Sequence, residues 1–153
     1  MLSNILMGLA VMILDLGILV MAIALLLRFV TRRLEADSGR PSLMNDVTAL
    51  SAMMGILLLG QAFMLTSWAL LFMWLGEFDD FATAFYHSTV NFTSLGYGDI
   101  VMSEEHRLLG ALEAANGVMM LGLATGAILA MMNGLFSRHG RVADLKNKIM
   151  QDN

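Results

Sequence analysis

The stretch Thr93-Ser94-Leu95-Gly96-Tyr97-Gly98-Asp99 decides how the rest of the chain is read. It stands between two long apolar runs, which puts it at or in a membrane. Its two glycines, spaced by one residue, let a short non-helical backbone alternate between positive and negative φ. Two hydroxyl side chains open it and a carboxylate closes it. Irregular backbone at membrane depth persists only where it is buried in protein or lines a water-filled path. A backbone that turned all its carbonyls to one side would offer a column of oxygen dipoles to a dehydrated cation.

Working outward, the composition agrees with a membrane setting. Of 153 residues, 58% are hydrophobic and 14% charged, whereas soluble domains carry about 25% charged residues. With one proline and no cysteine there is neither a disulfide framework nor a thiolate metal site. The fifteen methionines are scattered through apolar runs and read as flexible packing rather than a soft-metal path.

The first apolar run, from Leu2 to Leu27, is broken only by Asp15. It is too long for the apolar core of a signal peptide and lacks the basic start of one, so residues 1–30 are expected to form a transmembrane helix. Residues 31–47 carry arginines, Gly39 and Pro41 and read as a polar loop. A second run, 49–75, has no charged residue, and Trp74 near its end suits an interfacial anchor. Residues 81–93 follow an acidic break; about 13 residues are too few to cross a bilayer, so they are expected to form a re-entrant helix. Asp79 or Asp80 should cap its start. A third span, 107–136, is interrupted only by Glu113, and residues 137–153 form a short basic-leaning tail. No helix carries the repeating arginines of a voltage sensor, and His87, His106 and His139 read as surface or packing residues.

Eight of the nine Lys and Arg residues fall in two segments, Arg28 to Arg40 and Arg138 to Lys148. Both should be cytoplasmic, which places the amino terminus outside and the carboxyl terminus inside. The opposite side carries Glu77, Asp79, Asp80, Asp99, Glu104 and Glu105 against Arg107 alone, an acidic mouth that would concentrate cations.

The stretch from Thr93 to Asp99, with Phe85-Tyr86-His87-Ser88 ahead of it and a span on either side, resembles the pore domain of potassium channels. The resemblance covers roughly residues 49–136. It implies an all-α membrane protein with an outer helix, a re-entrant pore helix with selectivity filter (94–98) and an inner helix, in a pore domain of residues 48–136. The first helix is an addition to that plan. It further implies a homotetramer in a lipid bilayer, located in the plasma (inner) membrane, that passes K+ without enzymatic chemistry, organic cofactor or nucleic acid. By this resemblance Thr93, Ser94, Leu95, Gly96, Tyr97 and Gly98 form the ion-binding filter. The carbonyls of Ser94, Leu95, Gly96 and Tyr97, with the Ser94 hydroxyl, take the place of the ion's water. Gly96 and Gly98 allow the turn, Tyr97 points away and braces the filter, and Asp99 sits at the outer mouth. Gly117 falls where the inner helix often hinges.

Three departures from the family pattern stand out, one of them His87, where an aromatic residue is common. Threonine is usual where Ser94 stands, so the hydroxyl is kept and the stiffening methyl is lost. Val90 occupies the position where some members place a glutamate behind the filter. Glu113, about two turns inside the third span, is at the right depth to compensate by accepting hydrogen bonds from Ser88, Thr89 or Asn91; an ordinary helix-to-helix pairing is the competing reading. Asp15 should be structurally paired, with Asn116 a candidate partner. Gly117, Gly122 and Gly126 also fit a face for close helix contact. Three readings compete with a potassium-selective pore. They are a cation channel of relaxed K/Na selectivity, a proton-coupled transporter or intramembrane enzyme using Asp15 and Glu113, and a non-conducting accessory subunit.

Overall fold

The structure, a computed structural model, describes the backbone of residues 1–36 and 43–151. Four helices follow in order: α1 (Leu2–Ala36), α2 (Leu43–Trp74), α3 (Phe81–Phe92) and α4 (Arg107–Gln151). Three of them contain stretches long and apolar enough to cross a membrane, namely Leu2–Phe29, Met44–Trp74 and Arg107–Gly134. At 12 residues α3 is about 18 Å long and does not cross. The chain is therefore an all-α, multi-pass membrane protein.

The helices run further than the apolar stretches that locate them. α1 continues to Ala36 and α2 begins at Leu43, where residues 31–47 had the composition of a loop. α4 continues from the third span to Gln151 as one helix, where an end near 136 was expected. Apolar residues mark only the part of a helix that faces hydrocarbon, while arginine, lysine and glutamate keep the backbone helical beyond it. Residues 37–42 of the expected loop, with Gly39, Arg40 and Pro41, lie outside the described residues, as do the side chains of the basic tail from Arg138 onward.

α1 packs against α2 and α4, and α3 packs against the same two helices. The core between them gathers Leu19, Met64, Leu65, Trp68, Phe72, Phe92, Leu109 and Met120. Much of the remaining apolar surface, such as Ile13, Leu58, Phe63 and Leu121, is exposed on the single chain. Lipid or further protein meets such a surface without penalty in a bilayer.

One carboxyl fixes α1 to the rest. Asp15 is fully buried. Its Oδ1 accepts from the Ser67 hydroxyl at 2.8 Å, and its Oδ2 accepts from Trp68 Nε1 at 2.8 Å and from Asn116 Nδ2 at 2.5 Å. Donors from α2 and α4 thus converge on one residue of α1, and the expected partner Asn116 is among them. At the filter-side end, Asn4 Nδ2 donates to the Glu105 carbonyl at 2.6 Å and ties the start of α1 to the loop before α4.

Interhelical hydrogen bonds in membranes are worth roughly 0.6–1.7 kcal/mol each. Asp15→Ala strands the Trp68 and Asn116 donors, while the Ser67 hydroxyl keeps the Met64 carbonyl 2.7 Å away; stability should fall by about 2–4 kcal/mol, read as an earlier thermal unfolding midpoint of the detergent-solubilised protein. Asp15→Asn keeps an acceptor oxygen and should lose less.

Candidate filter and its supporting wall

The approach to the candidate filter is set by α3. Asp80, one of the two aspartates expected at its start, caps it: Asp80 Oδ1 accepts from the Thr83 amide at 2.9 Å. Its contacts with Thr83 are the largest of those holding the Asp80 carboxyl below its usual range. Thr93 closes the other end, its hydroxyl donating to the Thr89 carbonyl at 2.7 Å.

Beyond Thr93 the backbone leaves the helix in a regular way. φ is +57° at Ser94, +59° at Gly96 and +71° at Gly98, with no positive value at Leu95 or Tyr97. Among the described residues Ser94 is the one non-glycine with positive φ. Serine, with no β-branch, enters this region more easily than threonine would. Alternating handedness is the condition under which a strand can turn successive carbonyls to one side.

The hydrogen bonds of this segment also run one way. The Ser94 amide donates to the Asn91 carbonyl at 2.8 Å, and the amides of Leu95 and Gly96 donate to the Val90 carbonyl at 2.9 and 3.3 Å. None of the carbonyls from Ser94 to Gly98 accepts a hydrogen bond among the described residues. Thr93 to Asp99 are all exposed on the single chain. Below them lies a pocket of about 340 Å³ whose lining includes Gln61, Thr93, Ser94, Gly117, Val118 and Leu121. The carboxyl end of α3 reaches this pocket at Thr93, and its partial negative charge favours a cation there.

Three contacts hold the segment against the rest of the chain. Tyr86 donates its hydroxyl to Asp99 Oδ2 at 2.7 Å, joining α3 to the far end of the loop. That bond holds the Asp99 carboxyl below its ordinary range and pushes the Tyr86 phenol up. Tyr97 is 67% exposed on the single chain, and the tie within the chain is made by Tyr86.

The second contact is His87, whose place in the sequence had the look of a packing or surface residue. It is buried, with Nδ1 3.1 Å from the Ile100 carbonyl and Nε2 2.8 Å from Asn91 Nδ2. A carbonyl only accepts and an amide nitrogen only donates, so this arrangement assigns the proton to Nδ1. Phe72 and Phe78 pack on the ring, with centroids 5.5 and 4.9 Å away. His87 and Asn91 are four residues apart on α3 and so share a face; that spacing was the available signal.

The third contact is the face that α4 presents to α3. A methyl group on Gly117 would lie 1.8 Å from the Phe92 carbonyl oxygen and 2.7 Å from its carbon. Gly117, the candidate hinge, therefore has a packing reason to be glycine that involves no motion. Two turns earlier, a methyl on Gly110 would come within 3.0 Å of Asn91 Nδ2. Between them Glu113 is fully buried and faces Ser88 and Asn91. Its two carboxyl oxygens and Ser88 Oγ have no hydrogen bond of good geometry among the described residues. Thr89 turns its hydroxyl to its own helix, at the Phe85 carbonyl.

The acidic rim is less free than its composition suggests. Glu77 accepts from the Ser103 amide at 2.7 Å and from its hydroxyl at 2.5 Å, and Oε1 lies 2.6 Å from His106 Nδ1. Burial pushes the Glu77 carboxyl up, but these partners outweigh it and hold it below the ordinary 4.5. With Asp80 capping α3 and Asp99 held by Tyr86, the carboxylates left exposed are Asp79, Glu104 and Glu105.

Two outcomes follow from this geometry. Gly117→Ala should displace α3 or α4 and cost more than about 3 kcal/mol, beyond ordinary overpacking because the clash is with backbone; thermal unfolding in detergent measures it. Because the folded Glu77 carboxyl sits below its unfolded value, the stability it supplies is present above that value and is lost as pH falls through the folded one. Glu77→Gln should flatten that acid limb in a stability profile against pH.

No curated protein and no solved structure matches the chain. A family model described as ion channel matches residues 53–133, which include α3, the alternating backbone and most of the two spans flanking them. That match covers more than half of the sequence, and the chain belongs to this ion channel family.

Proposed function

We propose that four copies of this chain surround an axis and conduct potassium passively through a filter formed by Thr93 to Gly98. The observation that carries this reading is the alternating backbone at Ser94, Gly96 and Gly98, whose carbonyls accept nothing from their own chain among the described residues. A dehydrated K+ needs a cage of oxygen dipoles, and one chain supplies one wall of it. The pocket beneath, at the negative end of α3, is where a hydrated cation would wait. The exposed carboxylates Asp79, Glu104 and Glu105 at the other end would raise the local cation concentration. The distribution of basic residues supports an inner-membrane protein with the amino terminus outside and the carboxyl terminus in the cytoplasm. The pore performs no covalent chemistry.

A second reading, relaxed selectivity between potassium and sodium, draws on Ser94. Its positive φ is held without the methyl that would restrict the hydroxyl at the innermost site.

Purified protein in liposomes should pass potassium and rubidium, exclude sodium, and be blocked by barium. Bi-ionic reversal potentials separate the two readings: a near-zero potential for potassium against sodium favours relaxed selectivity. Absence of any cation flux, or a monomer in mild detergent, overturns both.

A further inference from the structure

Behind the candidate filter, between α3 and α4, lies a group of buried polar atoms whose hydrogen bonds do not balance. Ser88, Glu113 and Asn116 are each fully buried. Ser88 Oγ, both Glu113 carboxyl oxygens and Asn116 Oδ1 lack partners among the described residues. The other half of the Asn116 amide is committed, since Nδ2 donates to Asp15 Oδ2. With Asp15 ionised, turning that amide over would set its oxygen against a carboxylate oxygen, so Oδ1 is the half of the amide that needs a donor other than Asp15. Glu113 lies three residues before Asn116, on the same face of the helix.

The polar atoms here are short of donors. Ser88 brings one hydroxyl hydrogen, and Asn91 has one amide hydrogen left after serving His87 Nε2. Both can point at Glu113, and neither serves Asn116 Oδ1. An ionised Glu113 adds acceptors only and leaves that carbonyl stranded. No lysine or arginine lies between Pro41 and His106 or within Leu2 to Leu27 to supply a charge-assisted donor. A proton on Glu113 supplies the missing donor without needing space.

We propose that Glu113 works as the neutral acid, giving its O–H to Asn116 Oδ1 and taking the Ser88 hydroxyl and the Asn91 amide on its carbonyl oxygen. One hydrogen-bonded chain then runs from Asp15 on α1, through Asn116 and Glu113, to Ser88 and Asn91 on α3, and on through His87 to the Ile100 carbonyl beyond the filter. The titratable groups facing Glu113 from the packed elements are Asp15 on α1 and, through Asn91, His87 on α3. α2 contributes the neutral Ser67 and Trp68, and Glu77 after α2 is engaged by Ser103 and His106. Glu113 is a positioning residue: it touches no carbonyl of Ser94 to Gly98 but fixes the helix that carries them. The first helix, which the pore plan does not require, gains a role by holding Asn116 in the orientation that receives the proton.

Infrared spectroscopy of the purified protein tests the protonation directly and does not depend on conduction. The difference spectrum of wild type minus Glu113→Gln should contain the carbonyl stretch of a protonated carboxylic acid. In Asn116→Ala that band should move to higher frequency, because its O–H loses its acceptor. Where the protein conducts, the consequence for the filter rests on the pore reading. Glu113→Gln, which keeps a donor and an acceptor, should retain the wild-type single-channel open time, while Glu113→Ala should shorten it about tenfold, roughly what one lost buried hydrogen bond produces. A difference spectrum showing only a carboxylate, or an acid band unmoved by Asn116→Ala, overturns the proposal. So does a Gln variant as impaired as the Ala variant. Loss of conduction in wild type would defeat the pore reading and leave the infrared test of Glu113 intact.

Discussion

The close approach of α4 to the end of α3 sets the geometry of this protein. At Gly117 the inner face of α4 has no side chain, and the Phe92 carbonyl occupies the space that a methyl group would fill. The start of the candidate filter is placed by this contact: Phe92 is the last residue of α3, Thr93 caps it, and the alternating backbone starts at Ser94. Had α4 stood off by the width of an alanine, the start of the loop would hang from a mobile helix end. A strand built of alternating φ has no helical or sheet hydrogen bonds to keep its shape, so its shape is borrowed from what surrounds it.

What surrounds it is polar on one side and open on the other. Tyr86 and His87 hold the loop and its return through side-chain bonds to Asp99 and Ile100, Asn91 holds the His87 ring, and the amides of residues 94–96 fold back onto α3. The carbonyls of Ser94 to Gly98 accept nothing from their own chain among the described residues, so their oxygens stay available.

The fold was legible in the sequence wherever burial in lipid dictates composition. Three apolar runs and one short run between acidic and glycine-rich breaks correspond to four helices of the expected kinds, and Asp80 sits as the cap its position suggested. Helix ends at 36, 43 and 151 were not legible, because charged residues favour helix in water as readily as they end an apolar run. In the site, the glycine spacing announced an alternating backbone, and Asn116 stood as a candidate partner of Asp15. The roles of His87 and Glu77 were not legible: a histidine on a short amphipathic helix and a glutamate in an acidic cluster look like surface, and only the fold brings Ile100 to the first and Ser103 and His106 to the second. For Gly117 the sequence offered both close helix contact and a hinge, but not the partner, the Phe92 carbonyl 25 residues away in sequence.

The burial of Asp15 has a consequence for how the chain enters the bilayer. α1 emerges from the ribosome ahead of α2 and α4, carrying a carboxylate at mid-depth that costs roughly 3 kcal/mol at a helix centre during insertion. Its hydrogen-bond donors arrive 52 and 53 residues later on α2 and 101 residues later on α4. Until then the first span is an incomplete product, held by its many leucines against the pull of one unsatisfied acid. Satisfaction of that acid is completed by α4, and a nascent chain that stalls before Asn116 carries a built-in mark of its own incompleteness.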